Sequence, residues 1–131
     1  MKTIISGSRE IEDYAIVKIA IESSGFDISE IASGHARGVD SLAEQYAKLN
    51  KIPVKLFPAE WDDLDVEPCS VKTNKFGKKY NALAGFNRNE QMANYADALI
   101  AVFNGSPGTR NMIELATKRG LKVFVYDVQI V

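Results

Sequence analysis

Asn104 to Ala116 reads NGSPGTRNMIELA, two glycines, a proline and a threonine set between an apolar run and an apolar pattern of helical spacing. These residue types, where a strand gives way to a helix, suit phosphate chemistry. Glycine lets backbone approach a ligand, a hydroxyl can bond an oxyanion, and the open N–H groups of a helix start favour negative charge. The same composition also serves a plain turn and helix cap. Two further loops share it, SGSR from Ser6 to Arg9 and SGHARGVD from Ser33 to Asp40. A fourth segment, GFNRNEQM from Gly85, brings Arg88 and Asn89 to the start of another helix. Arg9, Arg37, Arg88 and Arg110 can thus converge on one mouth, each guanidinium suited to phosphate oxygens. Capping alone explains so consistent a set of loops poorly, and a phosphorylated ligand is expected.

Chemistry beyond binding needs an acid, a base or a nucleophile. His35 sits inside a glycine loop, where its imidazole could meet a phosphate or a ribose or act in catalysis. A lone histidine is more often simply solvated or hydrogen-bonded. Cleaving an N-glycosidic bond calls for a carboxylate to stabilise the oxocarbenium-like sugar or to position water. Glu114 is poorly placed for this. At about 100° per residue it lies roughly 160° from the face shared by Met112, Ile113 and Ala116, and so points to solvent. Glu44 and Glu90 fall in helix-starting regions, with Glu90 the open candidate because it follows Arg88 by two residues. Asp40 and Asp27 read as helix-start or turn residues. An ionised Asp40 would suit the helix dipole but repel a nearby phosphate. Trp61, in FPAEW, could stack on a base or cover the core, and Cys69 reads as an ordinary thiol.

The elements that must position these residues follow from periodicity. Thr3–Ile5, Ile28–Ala32, Ile52–Phe57, Asp97–Phe103 and Lys122–Tyr126 are strand candidates. Between them, Ile11, Tyr14, Val17 and Ile21, then Leu42, Ala43, Tyr46 and Ala47, recur at helical steps, as do Met92, Ala93 and Ala96. Ile16 and Ile19 fall off the first stripe and suggest a helix buried on more than one side. The run ALIAVF has the continuous apolar character of a central parallel strand. Alternating strands and helices imply right-handed βαβ units around a parallel sheet. The predicted fold is a single-domain α/β, Rossmann-like three-layer sandwich with a central, mostly parallel five-stranded sheet. Residues 62 to 80 break the rhythm as a polar insertion, of the kind that forms a lid or a binding loop. All the glycine-rich loops join strands to helices, so they share the sheet edge where ligands bind in such folds.

Composition narrows the alternatives. Lys and Arg number 16 against 17 Asp and Glu, a net charge of −1, which argues against coating nucleic acid by bulk charge. A single cysteine and a single histidine exclude an intrachain disulfide and any multi-thiolate or multi-histidine metal centre. No apolar run approaches the ~20 residues that cross a bilayer, and the N-terminus offers only Ile4 and Ile5 as an apolar stretch. A cytoplasmic protein is expected, with no metal, no required cofactor and no membrane partner.

The motifs GSR, SGxARGVD, FPAxW, AGxxRNxxM and DALIAVFNGSPGT occur together in an order that resembles the SLOG superfamily, in its small single-domain branch related to bacterial YspA and YpsA proteins. The resemblance covers nearly the whole chain. It implies a Rossmann-like nucleotide-binding domain over residues 1 to 131, with contacts to phosphate or ribose from Gly7, Ser8, Arg9, Gly34, Arg37, Gly38, Arg88, Asn89, Gly105, Ser106, Gly108 and Thr109. It also implies a homo-oligomer. The superfamily includes cytokinin-activating phosphoribohydrolases, the core of the DNA-processing protein A, and sensor domains for ADP-ribose-type signals. Besides the insertion between Trp61 and Gly77, this chain departs from the family at two places of note. His35 stands where the second loop usually has glycine. Met112 stands where the phosphoribohydrolase pattern PGGxGTxxE has its glutamate. A binding module for a nucleotide or ADP-ribose-like ligand, sensing or sequestering it, is therefore expected ahead of a nucleotide N-glycosidase. Single-stranded nucleic-acid binding ranks behind both, since no aromatic platform is evident.

Overall fold

The computed structural model describes residues 1–65 and 69–128. Among these residues seven strands and four helices follow one another as β1 (Lys2–Gly7), α1 (Tyr14–Ser24), β2 (Glu30–Ser33), α2 (Val39–Leu49), β3 (Val54–Leu56), β4 (Val71–Thr73), β5 (Lys79–Asn81), α3 (Ala84–Tyr95), β6 (Ala98–Phe103), α4 (Pro107–Lys118) and β7 (Lys122–Asp127). Five strands form one sheet in the order β3-β2-β1-β6-β7, and every pairing in it is parallel. The Rossmann-like α/β sandwich is thus the observed architecture.

Side-chain alternation along the strands builds both cores. Ile5, Ile31, Ile100 and Val102 face α1 and α2, where Val17, Ala20, Ile21, Val39, Ala43 and Ala47 meet them. The neighbouring residues Ile4, Ala32, Leu99 and Ala101 face the other way, onto Met92 and Ala93 of α3 and Met112 and Ala116 of α4. A period of two on strands buried on both faces gives the continuous apolar runs seen in the sequence. Burying each of the Val, Ile, Leu and Met side chains contributes about 1.5–3 kcal/mol before the entropy of ordering it is counted.

The local elements differ from the sequence reading in two places. The first helix starts later than its stripe, at Tyr14, where Asp13 caps it by accepting from the Ala15 N–H at 3.0 Å. Ile11 is buried ahead of the helix, and Ile19 is half-exposed, so α1 has one buried face rather than two. The insertion is not a bare loop either. β4 and β5 pair as an antiparallel hairpin. Its strands have three residues each, and those of β4 are all exposed, so no apolar alternation marks them. Residues 66–68 of the insertion, with Pro68, lie outside the described residues. The hairpin is tied to the domain by Asn81, whose N–H donates to Trp61 O at 2.7 Å while its Oδ1 accepts from the Ser70 and Leu83 N–H groups.

Candidate functional site

Strand order reverses between β1 and β6, because β1 continues to β2 on one side while β6 continues to β7 on the other. The crevice beyond the carboxyl ends of these two strands is where open α/β sheets take ligands. A cavity of about 270 Å³ occupies it. The end of β1 and the loop after it supply Ser6 to Arg9, the start of α4 supplies Ser106, Gly108 and Thr109, and α3 supplies Arg88 and Asn89. Trp61 and Asp40 complete the part of the wall that bears on chemistry.

Each loop reaches the cavity by its own local device. In α4, Pro107 occupies the first turn and lacks an N–H, while Ser106 spends its hydroxyl on Thr109 Oγ1 at 2.8 Å instead of capping the helix. The Gly108 and Thr109 N–H groups belong to the first turn, which no helical carbonyl reaches. A Cβ at Gly108 would meet open space, so nothing else of the chain crowds that approach. Gly38 has φ of 75°, and a Cβ there would strike Ser8 O and the Arg9 backbone. Only glycine brings the second loop so close to the first. Val39 N–H, at the start of α2, donates to Ser8 O at 3.2 Å, so this helix start spends its amide on the neighbouring loop rather than offering it to a ligand. The first loop likewise does not open a helix directly, because residues 8–13 separate Gly7 from α1.

Arg88 is the pivot of the site. Its Nη1 donates to Gly34 O at 2.6 Å and its Nε to Asn89 Oδ1 at 3.0 Å. Asn89 in turn donates through Nδ2 to Gly108 O at 3.2 Å and Asn111 Oδ1 at 3.0 Å. The second loop, α3 and the start of α4 are thereby joined, while Arg88 Nη2 makes no hydrogen bond among the described residues. Burial holds the guanidinium below its ordinary pKa, with Asp40 pulling upward and Arg9 downward.

Asp40, read from sequence as a helix-start residue, is buried in the cavity wall. Burial raises its carboxyl to about 6, against the opposing pull of Arg88, the Ala36 N–H bond at 3.3 Å and Arg9, with Glu44 adding to the rise. No signal in ARGVD distinguishes such an acid from an ordinary first-turn aspartate. A carboxyl with so raised a pKa takes up a proton more readily than an ordinary aspartate when a phosphate comes close, which lessens the repulsion expected from its charge.

The other sequence candidates fall into separate groups. Gly34, His35 and Arg37 line an adjoining cavity that also touches Arg9, Trp61 and Arg88. Gly38 and Gly105 line neither cavity. Arg110 lies over the Phe103 ring, 5.4 Å from its centroid, and does not join the arginines at the mouth. Glu90 pairs with Arg119 at 2.8 Å on the surface, away from both cavities. Met112 is fully buried in the core, and Glu114 is exposed. Trp61 is 38% exposed, with Arg9 stacked 5.8 Å from its ring, at the junction of the two cavities. Glu44 was given no role by its place on a helix, yet it holds the His35 ring nitrogen Nδ1 at 3.1 Å. Among the described residues no group of three or more His, Cys, Asp or Glu side chains could hold a metal ion, and no helix is long and apolar enough to cross a membrane.

Fold and site together define a Rossmann-like domain with a crevice at its topological switch point. The model of the YspA, cpYpsA-related SLOG family (YAcAr) matches residues 1–63, the part of the chain that carries β1 to β3 and their first two glycine loops, and supports membership of the SLOG superfamily in its YspA-like branch. That relationship suggests nucleotide-related binding or processing. No curated protein matches the chain.

Proposed function

We propose that the chain binds a nucleotide or a nucleotide-derived, ADP-ribose-like molecule in the switch-point crevice, as a sensor or sequestering module. The observation that carries this reading is the convergence on one cavity of Arg88, with its open Nη2, and the first turn of α4. Both favour a phosphate, one by charge-assisted hydrogen bonding and the other by open amides and the helix dipole. Trp61 at the rim offers a face for a base. Thermal unfolding with a panel of nucleotides tests the reading, because a ligand selective for the folded state raises the melting temperature. Mass spectrometry of small molecules released from the denatured protein would name the ligand carried from the cell.

A second reading, hydrolysis of a nucleoside monophosphate at its N-glycosidic bond, gains one specific support. Asp40 is a carboxyl in the cavity whose pKa of about 6 suits a general acid near neutral pH. In that reaction Asp40 would protonate the departing base while water adds to the sugar carbon and releases its proton to solvent. The core position of Met112 leaves the family glutamate without a counterpart, and this favours the binding module. Release of free base from AMP by the native protein, abolished in Asp40→Asn, would reverse that order.

A further inference from the structure

His35 has φ of 57°, in the left-handed region, which costs a residue with a Cβ about 1–2 kcal/mol. A histidine held there must be stabilised by its surroundings. Three contacts do so. The His35 N–H donates to Ser33 Oγ at 3.1 Å, and Ser33 Oγ donates to Glu44 Oε2 at 2.8 Å. Glu44 Oε1 then takes Nδ1 of the ring at 3.1 Å. The end of β2, the loop after it and α2 thus fix one ring orientation.

That orientation commits Nδ1 to the carboxylate and leaves Nε2 as the nitrogen open to a ligand. The side chain is 54% exposed and forms part of the wall of the adjoining cavity, of about 390 Å³. Arg9, Trp61 and Arg88 border both cavities, so one molecule can pass from the first to the second alongside the indole. Arg37 adds charge to the second cavity. Its pairing with Glu10 at 3.2 Å is solvent-exposed on both sides, which makes it a weak competitor for a phosphate. Glu44, the carboxylate nearest the ring, is already spent on His35 and Ser33.

We propose that His35, aimed by Glu44, anchors a second anion subsite, and that the ligand class is a nucleoside diphosphate or its ribosyl ester rather than a nucleoside monophosphate. One phosphoryl group lies between Arg88 and the first turn of α4, and the next reaches His35 and Arg37. With Nδ1 held by Glu44, Nε2 is the ring nitrogen that faces the distal phosphate and donates to it. Glu44 is a positioning residue that sets which nitrogen faces the ligand. The inference rests on the nucleotide reading of the main cavity.

Calorimetric titration with AMP, ADP and ADP-ribose tests it in the native protein and in His35→Gln, His35→Gly and Glu44→Gln. Glycine suits the backbone at this position, so His35→Gly is a folded variant lacking only the imidazole. The native protein should bind ADP at least roughly tenfold tighter than AMP, the gain from one added charge-assisted bond. The ADP-to-AMP ratio should collapse toward one in both His35 variants and fall in Glu44→Gln, a change that mere structural support would not produce. Equal affinity for AMP and ADP in the native protein, or an unchanged ratio in the His35 variants, overturns the second subsite and leaves the main cavity intact. Binding of none of the three, nor of the guanine, cytosine and uracil mono- and diphosphates, overturns both.

Discussion

Arg88 Nη1 and Gly34 O, 54 residues apart in sequence, are joined by a 2.6 Å hydrogen bond that fastens α3 to the loop after β2. Gly34 is what permits it. A Cβ there would lie 2.8 Å from both Arg88 Cζ and Asp40 Oδ2, closer than side chains tolerate. Gly34→Ala should therefore displace the guanidinium and lower nucleotide affinity roughly tenfold or more, the worth of a charge-assisted contact. Titration with AMP, alongside circular dichroism to verify folding, reads the effect. Unaltered affinity would show that the position of Arg88 does not matter.

Asp40 makes stability depend on pH in a defined direction. Its folded pKa of about 6 stands above the ordinary 3.8, so the folded state holds the proton more tightly than the unfolded one. This contribution to stability is full below pH 4 and fades as the pH rises through 6, by on the order of 3 kcal/mol. Asp40→Asn removes the titration. Urea unfolding of both proteins at several pH values should show the native protein losing stability relative to the variant between pH 4 and 7. A constant difference would contradict the burial assigned to this carboxyl.

Gly38 and Gly25 both have positive φ, 75° and 68°, but Gly25 is in the αL well with ψ of 10° whereas Gly38 has ψ of −130°, and only Gly38 is crowded. At Gly25, which closes α1, a Cβ meets nothing within 4 Å. Gly25→Ala should cost about 1 kcal/mol from the backbone alone, whereas Gly38→Ala adds a collision with the first loop and should cost about 2–4 kcal/mol. Denaturant midpoints of the two variants compare them directly. Equal losses would mean that contact between the first two loops is soft.

Trp61 is the sole tryptophan, so its fluorescence reports on the rim of the site. Nucleotide binding should change that emission. Trp61→Ala should weaken affinity by about 1–3 kcal/mol if a base stacks there, while Trp61→Phe keeps most of it. An alanine variant that binds as tightly as the native protein would assign the indole to covering the core.

Much of this arrangement was legible in the residues. ALIAVF could hardly be anything but a central strand, since both of its faces are apolar, and β6 lies inside the sheet. The glycine loops announced the edge on which the crevice lies. Other features depend on contacts that periodicity does not carry. Of the hairpin's three-residue strands, β4 is exposed throughout and β5 buries only Asn81, so no apolar pattern marks them. Arg110 and Arg88 are the same residue type beside similar loops, yet one lies over Phe103 and the other crosses to Gly34. The burial of Asp40 and the grip of Glu44 on His35 arise only when α2 packs against the end of β2.

The central claim is that the switch-point crevice holds a nucleotide through Arg88. Calorimetric titration of the native protein and Arg88→Ala with a panel of adenine, guanine, cytosine and uracil nucleotides and ADP-ribose tests it most directly. Saturable one-to-one binding of at least one of them is expected, weakened roughly tenfold or more in the variant. No binding across the panel, or equal affinity in a folded Arg88→Ala, would contradict it.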